Sequence, residues 1–327
     1  MIFATTPRLA APGQAERAAF ASATPRDLAT HDSLCATVPA LAELETGAAA
    51  PELALTFPIR VAAWNLERCL FPEPSAQALA GADLVLLSEL DHGMARTAQV
   101  DTAREIARHL GLAHAFGVEF LELGLGSEIE RDFCTDPVNR NGFHGNAILA
   151  RTALIRPFLL RLPGQGHWFC DAGQPRLGGR IAVGAEIATT AGPVVFASTH
   201  LESSDTGPIR GAQMAALIAA LDTHFPGVPA LIGGDLNTGN CPGGDWRTEP
   251  LFDIARAGGF IVAGGPEHQP TTRPSLITRF PDRAMKLDWF LARGLKLGVT
   301  SIHPSLAPGG HPLSDHDRIE TTILALI

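Results

Sequence analysis

The stretch "ALIGGDLNTG" places a carboxylate and an amide, Asp235 and Asn237, at the end of an apolar run. Residues i and i+2 of a strand point to the same face, so a strand that continues through Leu236 aims both groups at one point. There they could position a water molecule and bind a phosphoryl oxygen. Asp, Asn and Gly are also common turn residues, and the stretch taken alone favours a turn.

Other apolar runs in the chain also end in, or enclose, polar side chains. Each of these taken alone is an ordinary turn or surface residue, but their repeated position favours convergence, because scaffolds place chemistry where strand ends meet. The residues concerned are Asn65 in "VAAWNLE", Glu89 in "LVLLSELD", His200 and Glu202 in "VVFASTHLES", Asp288 in "MKLDWFLA", and Asp315, His316 and Asp317 in "HPLSDHDRIE".

These residue types suit a particular chemistry. Asn65, Glu89 and Asp315 offer only oxygen donors, which match a hard cation such as Mg²⁺ or Mn²⁺. His316 beside a carboxylate is typical of a general base or of a group that stabilises a transition state, and Asp288 could orient its imidazole.

His200 adds a second hydrogen-bond donor for developing negative charge. The sequence has no Ser or Cys nucleophile motif. Carboxylates, amides, two histidines and a hard metal together indicate metal-assisted hydrolysis of a phosphate ester.

The elements that must position these groups begin at Ile59, after which short β-branched runs alternate with a few helical patterns. Many strands and few helices predict two sheets packed face to face with helices outside, in one catalytic domain over residues 59–327. Residues 1–58 are rich in Ala, Thr and Pro and are interpreted as an N-terminal arm or extension. This segment is either packed on the domain, with a helix near Val38–Thr46, or a disordered tail.

Composition narrows the function further. The chain has 327 residues, a net charge of −9 and no Lys/Arg-rich run, which disfavours a broad grip on a nucleic-acid backbone. Its five cysteines are scattered and form no CxxC pair, so a disulfide scaffold and a structural zinc site are not expected. We expect a cytoplasmic protein with no transmembrane segment, since neither a signal peptide nor a run of roughly 20 apolar residues is recognisable. No protein partner is evident.

The motifs "AWN", "LLSELD", "STHLES", "GGDLN", "LDWFL" and "SDHD" occur in this order between Ile59 and Ile327. As an ordered set they resemble the endonuclease/exonuclease/phosphatase superfamily, which has the DNase I-like fold. The resemblance implies a four-layer α/β/β/α sandwich, in which two packed mixed or antiparallel sheets are flanked by helices and the site lies at one edge of both sheets.

The resemblance also implies roles for individual residues. Metal ligands are implied at Asn65 and Glu89, with Asp315 as a further one. The attacking water and the phosphate are assigned to Asp235 and Asn237, and Asp288 is the carboxylate that pairs with His316.

His200 falls where DNase I and the sphingomyelinases carry His and where abasic endonucleases carry Tyr. The chain contains no Tyr, which counts against a role in DNA repair. Three further assignments stay open. His144 either faces the site or caps a strand, Arg180 is either a phosphate clamp or a surface arginine, and the carboxylate partner of His200 is either Glu119 or Glu122.

The function predicted from the sequence is a divalent-metal-dependent phosphodiesterase that uses Mg²⁺ or Mn²⁺ and hydrolyses a P–O bond by in-line attack of water. Its substrate is a small molecule, a lipid headgroup or a nucleic acid. A DNase I-like nuclease is one alternative and predicts a basic groove. A sphingomyelinase-like enzyme predicts an apolar rim around Trp168, Phe169 and Trp246, and a non-catalytic binding member predicts missing motifs.

Overall fold

The computed structural model describes residues 1–47, 53–171, 173–203, 207–240, 244–280 and 284–327. In chain order, the strands within these ranges are β1 (Thr5–Thr6), β2 (Leu44–Gly47), β3 (Ile59–Arg68), β4 (Leu84–His92), β5 (Ala113–Glu122), β6 (Phe143–Ala150), β7 (Ile155–Arg161), β8 (Arg176–Gly178), β9 (Ile181–Thr189), β10 (Gly192–His200), β11 (Ala230–Asp235), β12 (Ile261–Ala263), β13 (Asp288–Arg293), β14 (Leu295–Leu297), β15 (Ser301–His303) and β16 (Arg318–Leu326).

The helices within the same ranges are mostly short. None of them combines the length and the hydrophobicity needed to cross a lipid bilayer. They are α1 (Gln14–Ala21), α2 (Leu28–Cys35), α3 (Pro72–Ala78), α4 (Thr102–Leu110), α5 (Glu128–Arg131), α6 (His167–Cys170), α7 (Gly207–His224) and α8 (Pro250–Ala257).

The described strands form two mixed sheets. The first follows the order β1-β2-β5-β6-β4-β3-β16-β14, with β15 on β16 and β8 on β5, and the second follows β12-β13-β11-β10-β9-β7. Buried side chains from the facing surfaces of both sheets, such as Leu86, Phe196 and Phe290, share one apolar core. Helices α3 and α4 cover the outside of the first sheet, and α7 and α8 cover the second, so the predicted four-layer sandwich is confirmed.

The local patterns that predicted the helices have visible physical causes. In α4, the side chain of Asp101 accepts a hydrogen bond from the backbone N–H of Arg104 and so caps the helix N-terminus. The helix ends at Gly111, whose φ of 66° lies in the left-handed region that glycine tolerates best.

The helix expected near Val38–Thr46 is wrong. Pro39–Ala42 forms one 3₁₀ turn and β2 follows it, paired antiparallel with β5. Pairing in the sheet overrides the weak local helix preference of this Ala- and Leu-containing stretch. Strands β1 and β2 therefore extend the first sheet. The domain boundary at residue 58 stays a prediction, and residues 48–52 lie outside the described ranges.

The two sheets bring their polar strand ends to one edge. In the second sheet, His200 at the end of β10 is paired with Asp235 of β11, which is in turn paired with Asp288 of β13. In the first sheet, Asn65 of β3 is paired with Ser88, the neighbour of Glu89 in β4. This edge positions the candidate site.

Candidate active site

The turn after β11 brings together Asp235 and Asn237, the first pair of candidate site residues in the sequence. The strand ends at Asp235, and Asn237 has a φ of 51°, so strand alternation through Leu236 is not what brings the pair together. Instead, Asp235 Oδ1 accepts a hydrogen bond from the Asn237 backbone N–H over 2.8 Å. The Asn237 side chain donates to the Leu201 carbonyl over 2.8 Å, which ties the turn to the segment after β10.

The second feature of the site is a buried carboxylate–imidazole pair. His316 Nδ1 lies 2.8 Å from Asp288 Oδ2, and its Nε2 lies 3.5 Å from Asp235 Oδ2 and 3.8 Å from Asp315 Oδ1. Burial opposes protonation, but the charges of Asp288, Asp235 and Asp315 outweigh it and raise the pKa of His316 well above its ordinary value. The imidazole is therefore held as an imidazolium among three carboxylates.

Contacts between distant parts of the chain hold His316 in place. The indole Nε1–H of Trp64 donates to the His316 carbonyl over 2.8 Å. The Ser314 hydroxyl donates to the Asn65 carbonyl over 2.6 Å and accepts the His316 backbone N–H over 3.0 Å. The loop before β16 is thus fastened directly to β3.

Asn65 links two carboxylates from different sheets. Its Nδ2 lies 3.2 Å from Glu89 Oε1 and 3.0 Å from Asp235 Oδ2, and its Oδ1 accepts the Glu67 backbone N–H. Glu89 also contacts the Arg68 guanidinium. Burial disfavours the Glu89 carboxylate, but Arg68 and then three nearby histidines outweigh this and keep the pKa of Glu89 well below its ordinary value.

His200 lies at the end of β10 between two groups of charges. Its Nε2 is 3.6 Å from Asp235 Oδ2 and 3.9 Å from Glu89 Oε1, and its Nδ1 is 3.4 Å from Glu119 Oε2. Despite burial, His200 and Arg180 lower the pKa of Glu119 to about 2. Of the two acids that the sequence left open, it is Glu119 that lies beside His200.

Arg180 is buried and ion-paired. Its Nη1 lies 2.6 Å from Glu119 Oε1 and 2.9 Å from His200 Nδ1, and its Nη2 donates to the Ser203 hydroxyl over 2.7 Å. The interpretation as a surface arginine does not fit this position. Its guanidinium borders the site but is already engaged with Glu119.

His144 and Asp315 lie at the margins of the site. His144 Nδ1 is 2.9 Å from Asp91 Oδ1, deep in the first sheet, and its charge is one of those that lower the pKa of Glu89. Asp315 Oδ1 lies 3.8 Å from His316 Nε2. Asp315 also adds to the effect of burial on Glu67 and raises the pKa of that carboxyl to about 7.

Sequence reasoning missed Glu67 and Arg68, which follow Asn65 directly. Glu67, Arg68 and Cys69 have φ values of 43°, 77° and 60°, an unusual run of left-handed conformations in residues other than glycine. This turn places Arg68 against Glu89. The only sequence signal was a charged pair, "ER", immediately after a candidate ligand, and such pairs are common at strand ends.

The aromatic rim expected of a lipid enzyme is only partly present. Phe169 is 0% exposed and packs in the core of the first sheet, so it cannot form a rim. The Trp168 indole N–H points to the Glu202 carboxylate at 3.3 Å. Trp246 packs on Trp289, with ring centroids 4.7 Å apart.

The donor set at this edge fits a hard divalent cation. Carboxylate oxygens of Glu89 and Asp235 meet at the Asn65 amide N–H groups, and the pKa of Glu89 lies well below its ordinary value. Ligand atoms of Asp235, Asp288 and His316 lie within 4.8 Å of one another, and Asp288 Oδ1 is buried without a hydrogen-bond partner among the described residues. Clustered ionised carboxylates with spare acceptor capacity are the surroundings that Mg²⁺ and Mn²⁺ prefer.

The fold and this edge of converging carboxylates, amides and histidines are those of a DNase I-like protein. Residues 62–316 match the sequence model of the Endonuclease/Exonuclease/phosphatase family, and the chain belongs to that family. No curated protein matches the chain.

Solved structures share the fold at low sequence identity. An endonuclease/exonuclease/phosphatase from Beutenbergia cavernae is 18% identical, with 81% of this chain and 71% of that chain covered and a TM-score of 0.57. The human Nocturnin catalytic domain with bound sulfate is 19% identical over 84% and 96%, with a TM-score of 0.56. Truncated Caenorhabditis elegans TDP2 is 17% identical over 82% and 98%, with a TM-score of 0.53.

Proposed function

We propose that this protein is a divalent-metal-dependent phosphodiesterase that hydrolyses a P–O bond by in-line attack of water. Family membership supports a phosphoesterase in general. The observation that carries the finer proposal is the position of Asp235, whose Oδ2 lies within 3.6 Å of His316 Nε2, His200 Nε2 and Asn65 Nδ2. One carboxylate oxygen thus faces two imidazoles and an amide, the groups needed to handle a water and a phosphate.

Glu89 and Asn65 would hold the metal, with Asp315 as a further ligand. When bound, Mg²⁺ or Mn²⁺ supplies Lewis-acid polarisation of a phosphoryl oxygen. The contact between Arg68 and Glu89 supports this assignment, because it keeps Glu89 ionised in its buried position.

Asp235 acts on the attacking water in this proposal. Its Oδ1 is fixed by the Asn237 backbone N–H, so Oδ2 is the oxygen left to accept a proton from water. The Asn237 side chain holds the turn against Leu201 and keeps that orientation. An ionised carboxylate in a buried site is able to serve as a general base or to orient the nucleophile.

His316 and His200 act on the phosphate. The imidazolium of His316, oriented by Asp288, donates through Nε2 to the charge that develops on the phosphoryl group or its leaving oxygen. His200 donates from the other side of Asp235. Glu119 and Arg180 position His200, and His144 with Asp91 supports the wall beside Glu89.

A metal-dependence assay tests the proposal. Chelator-stripped protein is given bis-p-nitrophenyl phosphate, p-nitrophenyl phosphate, plasmid DNA and a sphingomyelin analogue, each with and without Mg²⁺ or Mn²⁺. We expect metal-restored cleavage of a diester, lost in His316→Gln and retained in the control His303→Gln, whose ring lies at the surface on β15.

The pattern across substrates separates the classes. Preference for plasmid DNA favours the nuclease, and preference for the sphingomyelin analogue favours the lipid enzyme. Cleavage that is unaffected by His316→Gln would contradict the assigned site. Silence on every substrate, together with tight metal binding, would instead favour a narrow unknown substrate.

A further inference from the structure

A second cluster of ionisable side chains lies where β2 joins the first sheet, outside the candidate active site. Glu45 of β2, His92 at the end of β4 and Asp101 at the N-terminus of α4 offer ligand atoms that all lie within 4.8 Å of one another. Glu45 and His92 are buried, and Asp101 is largely so. Three separate elements thus meet at one point through groups able to bind a cation.

His114 of β5 lies beside this cluster. It is the cross-strand partner of Gly47, and its ring fills the space that a side chain there would take, since a Cβ on Gly47 would lie 2.5 Å from His114 Cε1. The same Cβ position would lie 3.2 Å from His114 Nε2 and 3.4 Å from Arg104 Nη1. The imidazole therefore faces the Arg104 side chain that contacts both acids.

The imidazoles of His92 and His114 both have buried ring nitrogens without a hydrogen-bond partner among the described residues. His114 is 2% exposed, and neither of its ring nitrogens has a hydrogen-bond partner among the described residues. The same holds for His92 Nδ1, in a ring fixed by edge contacts to Phe116 and Phe143. Buried polar atoms without partners are costly and rare, which calls for an explanation. Burial also lowers the pKa of His114.

Arg104 is the cation that meets these acids in the structure. It donates to Glu45 Oε1 over 2.5 Å and to Asp101 Oδ2 over 2.9 Å. Its side chain is 45% exposed, so it can turn into solvent without loss of core packing. Once it has left, the charges of the two carboxylates balance that of one divalent ion.

We propose that Glu45, His92 and Asp101 form a second metal site, beside His114, which takes a transition-metal ion such as Zn²⁺. One imidazole nitrogen and two carboxylate oxygens supply three ligands of a four-coordinate zinc site, and the nitrogen ligand disfavours Mg²⁺. The site would join β2 to β4 and α4, so its role is structural. It is independent of the proposed phosphodiesterase activity.

Zinc titration of the chelator-stripped full-length chain, by calorimetry in excess Mg²⁺ and by metal analysis after desalting, tests the site. We expect the double variant His92→Gln/His114→Gln to bind one equivalent of Zn²⁺ fewer than wild type, or to bind it at least about tenfold more weakly, since even outer-shell partners of a metal are worth about that much. The control His109→Gln, in α4, and the active-site variant His316→Gln should retain this equivalent.

Arg104→Ala gives the decisive second measurement. Removal of the competing guanidinium should tighten Zn²⁺ binding about tenfold, and Zn²⁺ should raise the Tm of this variant more than that of wild type, because a ligand that binds only the folded state stabilises it. The proposal would be overturned if the wild type and the double variant bound the same number of Zn²⁺ equivalents with the same affinity. So would unchanged zinc affinity in Arg104→Ala, even if the double variant failed to fold.

Discussion

The candidate active site and the cluster around Arg96 are both buried groups of charges, but they are balanced differently. The Arg96 side chain is fully buried and donates hydrogen bonds to Asp91, Glu122 and Glu130 over 2.7–3.0 Å. Burial alone would raise the pKa of Glu130, yet Arg68 and Arg96 outweigh it and lower the pKa to about 2. Every acid in this cluster has a guanidinium partner.

Around His316, Asp235 and Asp288 have no guanidinium partner among the described residues. Both carboxylates approach the His316 imidazole, and Asp288 Oδ1 is buried with no hydrogen-bond partner in the same part of the chain. The fully paired acids of the Arg96 cluster contribute mainly to the fold. Buried carboxylates with spare acceptor capacity can bind a metal ion or move a proton, at some cost to stability.

Asp235→Asn tests this contrast with the largest expected effect. Loss of the proton acceptor should lower kcat/KM for a diester about 10⁴-fold. The free energy of unfolding of the chelator-stripped variant should change by less than about 1 kcal/mol, because one of several competing negative charges is removed. Steady-state kinetics measures kcat/KM, and urea unfolding measures the free energy of unfolding. A severe loss of stability would contradict the difference drawn between the two clusters.

Arg96→Met tests the other cluster. Three buried carboxylates lose their shared partner, and we expect the free energy of unfolding to fall by about 3–5 kcal/mol. Arg108→Ala is the matched control, since Arg108 forms an exposed i,i+3 pair with Glu105 and should cost less than about 0.5 kcal/mol. Equal effects of the two substitutions in urea unfolding would contradict the role given to burial.

Glu67→Gln tests how the free energy of unfolding depends on pH beside the candidate site. Burial and Asp315 raise the pKa of Glu67 to about 7, so the unfolded chain ionises first as pH rises. The stability that protonated Glu67 contributes is present below about pH 4.5 and is lost as pH rises to about 7. Between pH 5 and pH 8, the chelator-stripped wild type should lose about 2 kcal/mol more than the variant. Parallel urea titrations that show no difference would refute this.

Asp288→Asn has the smallest expected effect. Asp288 is the carboxylate that does most to hold the pKa of His316 up against burial, so its neutralisation lowers that pKa. Activity that requires the imidazolium is lost as pH rises through this pKa, and the alkaline limb of kcat/KM should move to lower pH, with about tenfold loss at neutral pH. Asp253→Asn, on the exposed face of α8, serves as the control. An unmoved alkaline limb would remove Asp288 from the mechanism.

The polar strand ends could be predicted from sequence because each one is a local pattern. Asn65, Glu89, His200 and Asp235 all follow short apolar runs, and the periodicity of a strand is written into neighbouring residues. The ordered motifs then indicated the fold. The structure brings these four side chains to one edge, whereas their chemical roles stay a prediction.

Pairings between distant residues could not be predicted in this way. Arg68 and Glu130 are 62 residues apart, and nothing in their own neighbourhoods distinguishes them from charged surface residues. The left-handed turn at residues 67–69 contains no glycine to mark it. The end of β11 at Asp235 and the pairing of β2 with β5 depend on tertiary contacts, which override local preference.

The pairing of β3 with β16 has a consequence for synthesis of the chain. Trp64 and His316 are hydrogen-bonded across 252 residues, so the ribosome makes one side of the candidate site long before the other. During translation, the edge of β3 that later pairs with β16 has no partner strand. Contacts between residues so far apart in sequence form slowly. A nascent chain therefore contains Asn65 and Glu89 before His316. The complete candidate site forms only after β16 has been synthesised and has paired with β3.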